Sequence, residues 1–599
     1  MIAAGAIVAI ALFLGAGLGL TLCLPGFAKT GLAGRLAFAY LLGVAWIGLF
    51  LYLASHFGRV PVDGPLVFIA AFIPLGAGAA VAIRSLVMRR WREPAARRPR
   101  RRLQTLGWTG LYLLAAVVSS AILANALTQP LADWDGRMTW SAQAIYVRDA
   151  GTVDAPVLRS PVSFVSHPRY PLLMPLVQTA ALEATGSDDE RVFRAVYAAF
   201  FPALVFLVID AARRWAGARA ALLTACVLLT VPWIPFFREG GAIGAYSDLP
   251  LACFAGGGFL LLLRGRPRAS IGVAAGLLLA AAILTKNEGL PEAGAAIALA
   301  GISGAIAALR RRTRPAKARL LATGLALSLL LAAFVLLIDW RSAIPNRYDE
   351  LYFEKFSVAV FVRNLASARA FSTLPVIASR MFSLEAWGLF WWLVPLVFLA
   401  AAPSPRRPPT ALLAIAAAIP AVAAWSAYSQ VQAADYYAGV TWNRILLQAA
   451  VPGFTLLALA IRKILRMLAP QEVSASRVPG PGGNTMSVKR SIASTVAMTM
   501  LVSVLALAST ACVSARVGVG FGIRVNVPPP PLRAEVVVVQ PGPGYVWVPG
   551  YWDWEAARGE YLWIAGTWTR PPHRHAVWVE PRWERRGRES FFIRGHWRR

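Results

Sequence analysis

Long apolar runs separated by short polar connections make up the chain from its first residues to about residue 461. The runs lie at roughly 3–24, 36–55, 65–83, 107–127, 196–212, 218–237, 247–263, 271–285, 291–309, 319–338, 384–402, 409–428 and 445–461. A helix needs about 20 apolar residues to cross the hydrocarbon core of a bilayer. The pattern therefore predicts an all-α polytopic membrane protein with about 13 transmembrane helices.

Charge along the chain follows this alternation. Stretches rich in arginine and lysine lie between apolar runs, at 88–102, 212–219, 264–268, 310–319, 405–409 and 461–466. All of them fall on one side if the helices simply alternate, and basic residues favour the cytoplasmic side. Topology thus accounts for the formal net charge of +31, and no nucleic-acid partner is predicted because no nucleic-acid-binding motif accompanies the charge.

Composition supports the membrane prediction. The chain has 57% hydrophobic residues, 15% charged residues and a mean hydropathy of +0.57, which is too apolar for an ordinary soluble enzyme. No two of its four cysteines form a CxxC metal or redox motif.

The remaining connections converge on the opposite, extracytoplasmic face. These are the segments 128–195, 238–246, 286–290, 339–383 and 429–444, and they carry most of the acidic and aromatic polar residues. The sequence therefore predicts that one extracytoplasmic site is built from these segments.

The longest polar interruption of the apolar pattern runs from Asp133 to Pro175, and we expect the chemistry there. Asp133 and Asp135 follow an apolar run, and charges at the mouth of a membrane helix are unfavourable unless a watery cavity or partner charges receive them. The alternative is that both are solvated residues that cap a helix. The same segment carries His167 and Arg169 in HPRYPLLMP, whose prolines we expect to prevent a regular helix start.

Three other outer segments contribute candidate site residues. Tyr246 and Asp248 lie in YSDLPLA at the start of an apolar run, where Asp248 is either a helix cap or a site carboxylate. Lys286 and Glu288 in TKNEG end another run, and paired charges at that depth are seldom there for stability. Arg444 is either a phosphate ligand or an anchor at the membrane interface.

The order of these motifs resembles the polytopic GT-C class of glycosyltransferases, in particular bacterial relatives of the protein mannosyltransferase and lipid A aminoarabinose transferase group. The resemblance covers about residues 107–465. The motifs that carry it are Asp135 with Trp140, HPRYPLLMP at 167–175, YSDLPLA at 246–252, TKNEG at 285–289, WGLFW at 387–391 and NRILLQ at 443–448. The class implies transfer of a sugar from a polyprenyl-phosphate carrier to an acceptor outside the cytoplasmic membrane.

Carried over to this chain, the resemblance implies that Asp135 is the catalytic base, with Asp133 as the neighbour that could substitute for it. A base at this position is chemically reasonable because a hydroxyl attacks an anomeric carbon more readily when a carboxylate accepts its proton. The lipid phosphate that leaves needs cations, and arginine is the better bidentate partner for phosphate. Gln143 stands where relatives often have a lysine, so that lysine's role does not carry over.

Substrate-binding roles are expected for the other polar residues of the predicted outer face. They are His167, Arg169, Tyr246, Asp248, Lys286, Glu288 and Arg444. No cofactor is required by any motif, and a divalent metal ion bridging carboxylates to phosphate stays open, without a predicted ligand set.

The C-terminal part differs in kind from the membrane region. A Pro/Gly linker is followed by a segment from Met486 to Cys512 with a basic start, an apolar core and small residues, as in a secretory signal. It is either an additional membrane helix or the start of a formerly separate lipoprotein, and both place the tail outside.

Four tryptophan-rich units then repeat, and they resemble the YXWGXW repeat of bacterial envelope proteins. The units are 545–552, 561–568, 576–583 and 590–597, each with an aromatic residue at two equivalent positions. Their alternation predicts short paired strands with the tryptophans on one face, either as a structural core or as a glycan-binding surface. His573, His575 and His596 match no standard metal-site spacing.

These observations predict five parts: extra membrane helices (1–106), a GT-C-like membrane catalytic core (107–468), the Pro/Gly linker (469–485), the signal-like segment (486–512) and a small all-β periplasmic repeat tail (513–599). The expected location is the bacterial inner membrane, with the active face and the tail extracytoplasmic. The partners are then a polyprenyl-phosphate sugar, an envelope acceptor and the lipid bilayer. Two other functions stay open, a polytopic transporter or lipid-carrier flippase and a non-catalytic envelope scaffold.

Overall fold

The computed structural model divides into two compact units, Met1–Val513 and Ser514–Arg599. In the first unit it describes residues 1–27, 30–89, 102–131, 133–160, 165, 167–264, 268–311, 317–344, 358–393, 410–428 and 434–467. In the second unit it describes residues 523–525, 530–531, 546–555, 560–564, 566–569, 577–579, 582–586, 589–593 and 596–598. The signal-like segment from 486 to 512, His573 and His575 lie outside the described residues.

The described part of the first unit is helical. Its helices are α1 (Ile2–Cys23), α2 (Leu32–His56), α3 (Gly64–Arg89), α4 (Arg102–Thr128), α5 (Ala142–Ala150), α6 (Pro156–Arg159), α7 (Leu173–Thr185), α8 (Glu190–Trp215), α9 (Ala218–Leu229), α10 (Trp233–Phe236), α11 (Asp248–Leu262), α12 (Ala269–Thr285), α13 (Gly289–Arg311), α14 (Lys317–Ala343), α15 (Val358–Leu365), α16 (Ala368–Ser372), α17 (Leu374–Met381), α18 (Leu384–Trp387), α19 (390–393 within the described residues), α20 (Thr410–Tyr428), α21 (Ala434–Gln448) and α22 (Ala450–Met467).

Eight of the described helices are long and apolar enough to cross a membrane, namely α1, α2, α3, α4, α8, α13, α14 and α20. The pair α21 and α22, bent by 61°, makes a ninth if it is counted as one span. Shorter apolar helices, α9, α11 and α12, correspond to three more of the predicted runs, and the predicted run at 384–402 lies largely outside the described residues. The all-α polytopic fold is thus confirmed, while the number of about 13 spans stays a prediction.

The first three helices form a close-packed bundle. A methyl group on Gly17 would lie 1.6 Å from the carbonyl oxygen of Ala39, and one on Gly43 would lie 1.8 Å from that of Phe13. The backbones of α1 and α2 therefore touch where only glycine leaves room, as at small-residue crossings of membrane helices. The bundle also packs on the core, because α1 and α2 both contact α7 and α8.

Helix α8 is the centre of the core. It packs against α1, α2, α4, α7, α9, α11 and α22, and 83% of its most apolar stretch is buried. Apolar residues occur all around this helix, which is the pattern of a helix enclosed by other helices. Helices α4, α7 and α11, which adjoin the polar segments, therefore all pack against one helix.

The polar segment between α4 and α8 is largely helical. A π-helical turn at Gly136–Ser141 runs directly into α5, and α7 is buried along most of its length. The expectation that the prolines of HPRYPLLMP prevent a regular helix start is wrong for the third proline. Helix α7 begins at Leu173 and holds Pro175 in its first turn, where a backbone N–H has no acceptor within the helix.

The described part of the second unit is made mostly of short antiparallel strands. They are β1 (Ile523–Val525), β2 (Val546–Val548), β3 (Tyr551–Glu555), β4 (Glu560–Ile564), β5 (Thr567–Thr569), β6 (Val577–Val579), β7 (Arg582–Arg586), β8 (Glu589–Ile593) and β9 (His596–Arg598). The pairs are β2 with β5, β3 with β4, and β6 with β9, and a three-stranded sheet has the order β1-β8-β7.

The strand register explains the repeat. The first aromatic position of one unit lies opposite the second aromatic position of its neighbour, in the pairs Trp547–Trp568, Trp552–Trp563, Trp578–Trp597 and Trp583–Phe592. The first two pairs meet edge to face, with ring centroids 5.5 Å and 5.1 Å apart. Two copies of one sequence unit therefore complement each other when they run antiparallel, because each aromatic position lies opposite another aromatic position.

The contact between α1 and α2 gives a stability prediction. Gly17→Ala should lower the melting temperature of the detergent-solubilised protein, because the new methyl group forces the two backbones apart at a loss of about 1–3 kcal/mol. Gly15→Ala is the matched control, since its added methyl group would meet only Leu75, at 3.9 Å. Equal melting temperatures for the two variants would contradict the close crossing.

Candidate functional site

A chain of ion pairs joins the outer segments that the sequence analysis singled out. Its centre is Asp248, the first residue of α11, whose side chain is fully buried. Oδ1 accepts hydrogen bonds from Lys286 Nζ at 2.8 Å and from Gln448 Nε2 at 3.0 Å, and Oδ2 accepts one from Arg444 Nε at 3.0 Å. A carboxylate can be buried in this way because each oxygen meets a donor and two donors carry positive charge.

Arg444 connects this centre to the first outer segment. Its Nη1 lies 2.9 Å from Asp135 Oδ2, while its Nε contacts Asp248. The guanidinium carbon lies 4.5 Å from the ring centroid of Tyr246, a cation–π distance. One arginine thus contacts both Asp135, in the segment between α4 and α5, and Asp248, the first residue of α11.

Asp135 and Asp133 have different environments. The Asp135 side chain is 23% exposed and sits at the start of the π-helical turn, where it is paired with Arg444. Asp133 is buried, and its Oδ2 accepts the backbone N–H of Ala245 at 3.0 Å. The sequence resemblance ranks Asp135 first and Asp133 as its possible substitute, and of the two it is Asp135 that combines an ion pair with Arg444 and a partly exposed side chain.

Asp133 fixes the turn that carries Tyr246. A methyl group on Gly244 would lie 1.9 Å from the carbonyl oxygen of Arg238 and 2.9 Å from Asp133 Oδ2, so the turn closes around the carboxylate without room for a side chain. Burial raises the pKa of Asp133 to about 6, opposed by the hydrogen bond from Ala245 and by nearby arginines. Burial also raises the pKa of the Tyr246 hydroxyl well above its usual range, so it stays protonated.

Lys286 and Glu288 lie at the turn between α12 and α13. Lys286 Nζ is 2.9 Å from Glu288 Oε1 and at the same time contacts Asp248. Lys286 is buried, whereas the Glu288 side chain is 33% exposed. The TKNEG motif therefore supplies a buried cation shared by two carboxylates, one from its own turn and one from α11.

The HPRYPLLMP segment is held beside this cluster by its backbone. Gln143 Nε2 donates to the carbonyl oxygens of Pro168 and Tyr170 at 3.2 Å and 3.3 Å, and Trp340 Nε1 donates to that of Tyr170 at 3.1 Å. Gln143 thus anchors the loop. Hydrogen bonding of polar side chains to loop carbonyls leaves the loop little conformational freedom.

Arg169 and His167 are placed by that anchored loop. Arg169 is buried and its Nη2 donates to the carbonyl oxygen of Arg341 at 3.4 Å. The His167 ring meets the ring of Tyr170, with centroids 5.3 Å apart. Arg341 in turn donates from Nη1 to Asn287 Oδ1 at 3.1 Å, which ties the loop to the TKNEG turn.

The structure brings together the residues predicted from the sequence. Asp135, Arg444, Asp248, Lys286 and Glu288 form one continuous chain of ion pairs. The other four candidates make contacts of other kinds beside this chain. Tyr246 packs its ring against Arg444, Asp133 accepts the backbone N–H of Ala245, Arg169 donates to the carbonyl oxygen of Arg341, and the His167 ring meets that of Tyr170.

Several residues of the cluster were missed in the sequence. Gln448 follows Arg444 by one helical turn, a spacing that places both on one face of α21 and was available as a signal. Asn287 lies inside the TKNEG motif itself. Glu292 lies one turn after Glu288, is buried, and has an Oε1 without a hydrogen-bond partner among the described atoms.

Metal binding has no evident ligand set here. Within the described part of the chain, no three histidine, cysteine, aspartate or glutamate residues are grouped as a metal ion would require. The cluster alternates acidic and basic groups, an arrangement suited to orienting an anion beside a carboxylate.

Part of the C-terminal region matches a known repeat family. The family model of the WXXGXW repeat matches two copies, at residues 542–569 and 561–584, so the C-terminal region carries this repeat and the matches extend over the first three predicted units. A search of curated proteins finds no match.

Among solved structures, the chain is similar to ArnT from Cupriavidus metallidurans, a GT-C lipid A aminoarabinose transferase, in the apo state and bound to undecaprenyl phosphate. Both matches have 19% sequence identity and cover 59% of this chain, with TM-scores of 0.40 and 0.41. The matched part spans 59% and 60% of the length of the two ArnT chains.

The buried Asp133 predicts a pH effect on stability. Because its pKa is raised in the folded protein, the folded state holds one proton more than the unfolded state between about pH 4 and pH 6. Unfolding free energy should therefore fall as pH rises through that window, by up to about 1.4 kcal/mol per pH unit. Asp133→Asn keeps an acceptor oxygen for Ala245 and should remove this component.

The measurement is the melting temperature of the solubilised protein between pH 4 and pH 7. Asp149→Asn, a change at an exposed position near the end of α5, is the control and should retain the wild-type pH profile. An unchanged profile in Asp133→Asn would show that Asp133 does not bind a proton in this range.

Proposed function

We propose that the chain is a membrane glycosyltransferase of the GT-C type, which moves a sugar from a polyprenyl-phosphate donor to an acceptor outside the cytoplasmic membrane. The observation that carries the proposal is the path Asp135–Arg444–Asp248–Lys286 at the ends of apolar helices. This path joins the partly exposed carboxylate of Asp135 to the cations Arg444 and Lys286. Sugar transfer from a lipid phosphate needs a carboxylate that accepts a proton and cations that bind the phosphate. The sequence resemblance to the GT-C class supports the same assignment.

In the proposed reaction, Asp135 acts as the general base. The acceptor hydroxyl oxygen attacks the anomeric carbon of the sugar and its proton passes to the Asp135 carboxylate. The bond between the anomeric carbon and the phosphate oxygen breaks, and the lipid phosphate leaves with that electron pair and its negative charge. General-base catalysis of this kind contributes about 10² to 10⁴ in rate.

The cations of the cluster stabilise the leaving phosphate in this proposal. Arg444 is already oriented by Asp248 through Nε, which leaves the outer end of the guanidinium directed to Asp135. A phosphate at that end would share Arg444 with Asp135 and bring the sugar next to the base. Lys286 and Arg169 add positive charge nearby, and fixed charges that need no rearrangement are the most effective in catalysis.

Asp133 is proposed as a positioning residue. It is buried and bound to the Ala245 backbone, so an acceptor hydroxyl cannot reach it as it can reach Asp135. Its influence on the reaction passes through the turn that sets Tyr246, and Tyr246 packs against Arg444.

The remaining parts of the assignment follow from topology. The proposed location is the bacterial inner membrane, with the cluster and the repeat tail on the extracytoplasmic side. The sugar is a hexose or a pentose, and the acceptor is an envelope glycan, lipid or protein. A transporter is less well supported, because transporters built from inverted repeats break helices in both halves, whereas α21 and α22 are the one bent pair among the described residues.

The test of Asp135 is sugar transfer in membranes supplied with a panel of radiolabelled polyprenyl-phosphate sugars. Asp135→Asn should lower kcat by about 10² to 10⁴ while the protein is still folded and inserted, because the amide cannot accept the proton. Asp149→Asn serves as the matched control and should keep wild-type transfer. Transfer at the wild-type rate by Asp135→Asn would exclude Asp135 as the base.

The test of Arg444 separates charge from geometry. Arg444→Gln should raise the KM for the donor and lower kcat, because the leaving phosphate loses its cation and Asp248 loses a charged partner. Arg444→Lys keeps the charge but not the two-ended contact with Asp135 and Asp248, so we expect only partial recovery. Full activity in both variants would show that phosphate is bound elsewhere.

A further inference from the structure

The turn between α2 and α3 is joined to the first outer segment, residues 128–195, by its backbone. Ser55 Oγ accepts the backbone N–H of Val153 at 3.2 Å. The backbone N–H of Val62 donates to the carbonyl oxygen of Gly151 at 2.8 Å. The N-terminal bundle is therefore bonded directly to the same outer segment that carries Asp135.

His56, the last residue of α2, lies between two carboxylates. Its Nδ1 is 2.9 Å from Asp154 in the first outer segment, and its Nε2 is 3.1 Å from Asp339 near the end of α14. The ring of Tyr52 stacks on the imidazole, with centroids 5.6 Å apart. A neutral imidazole donates through one nitrogen and an imidazolium through both. The protonated ring can therefore donate to both carboxylates at once, and the neutral ring to one of them.

The two carboxylates differ in their other partners. Asp154 is 12% exposed and also accepts hydrogen bonds from Arg59 Nη1 at 3.0 Å and from Arg159 Nη2 at 2.6 Å. Asp339 is 52% exposed, and among the described residues His56 is its one ion-pair partner. Loss of a donor is more unfavourable for the less exposed acceptor. A neutral His56 should therefore keep its contact with Asp154 and lose its contact with Asp339.

The end of α14 carries contacts into the site. Trp340 Nε1 donates to a backbone carbonyl oxygen of the HPRYPLLMP loop at 3.1 Å. Arg341 Nη1 donates to Asn287 Oδ1 in the TKNEG turn at 3.1 Å, and the carbonyl oxygen of Arg341 accepts Arg169 Nη2 at 3.4 Å. The residues directly after Asp339 thus contact both segments that supply cations to the site.

We propose that His56 is a positioning residue, which in its protonated form fastens the outer end of α14 to the N-terminal bundle and so keeps Arg169 and the TKNEG turn in place for the donor phosphate. The proposal rests on the proposed function and extends it in two ways. It gives α2, which lies outside the region whose motifs resemble the GT-C class, a part in the site. It also makes donor binding weaker when the histidine loses its proton.

The experiment compares the KM for the lipid donor in His56→Gln and in the wild type between pH 5 and pH 8, the range in which histidine changes its charge. The ratio of the two KM values should be about three to ten at pH 5, the factor that one hydrogen bond contributes. It should fall towards one at pH 8, where the wild-type ring also donates to one carboxylate. Other titrating groups, including Asp133 and His167, are present in both proteins and cancel in the ratio.

The matched control is Arg59→Gln, at a 77% exposed position, because it removes a partner of Asp154 and leaves the ring between its two carboxylates. Its KM should follow that of the wild type across the pH range. A ratio for His56→Gln that does not depend on pH would overturn the proposal, since a purely structural effect of the substitution is the same at pH 5 and pH 8.

A second variant approaches the contact from α14. At pH 5, Asp339→Ala should raise the KM by the same factor as His56→Gln, and the double variant should raise it no further, because both substitutions remove one interaction. Factors that multiply in the double variant would show that the two residues act independently. An unchanged KM in Asp339→Ala would show that the contact with α14 does not position the site.

Equilibrium binding of radiolabelled polyprenyl phosphate to the purified protein separates this inference from the proposed function. The ratio of the Kd values for His56→Gln and the wild type should show the same fall between pH 5 and pH 8. Such a fall in a protein that transfers no sugar would refute the glycosyltransferase proposal and retain the role of His56. Sugar transfer with a ratio that does not depend on pH would retain the enzyme and refute that role.

Discussion

Burial of the Asp248 carboxylate is the constraint on which the site depends. Removing an ion from water is strongly unfavourable unless charged donors replace the water, and here the donors come from α21 and from the turn between α12 and α13. The three elements must meet at the outer end of α11, or the charge is left unpaired. The same requirement brings Arg444 within reach of Asp135. The geometry of the outer face thus follows from satisfying one buried acid.

Much of this could be predicted from the sequence because hydrophobic runs and charged interruptions are local signals. The apolar runs gave the helices, and Asp135, Asp248, Lys286 and Arg444 were recognisable as charges at helix ends. Which charge meets which was beyond the sequence, since Asp248 and Arg444 are 196 positions apart. The different environments of Asp133 and Asp135 also depend on a distant backbone N–H, at Ala245, which no local pattern reveals.

The repeat tail shows a second kind of predictability. Aromatic residues at two equivalent positions per unit indicated strands, and the antiparallel register matches the two positions of neighbouring units. Repetition alone does not state which unit pairs with which. The antiparallel register within a pair follows from symmetry, because a segment with two equivalent aromatic positions is complementary to a reversed copy of itself.

The contacts of Asp248 also bear on the order in which the protein is made. A ribosome delivers α11 long before α21, and Lys286 follows Asp248 by 38 positions whereas Gln448 follows by 200. During synthesis the acid therefore has its lysine early and its arginine and glutamine only when α21 is inserted. A nascent chain that stops before α21 carries an incompletely paired acid at the outer end of a membrane-embedded helix. Until α21 is present, Asp248 lacks two of its three side-chain donors, so the pairing that organises the finished site is completed only by the last of its elements to be synthesised.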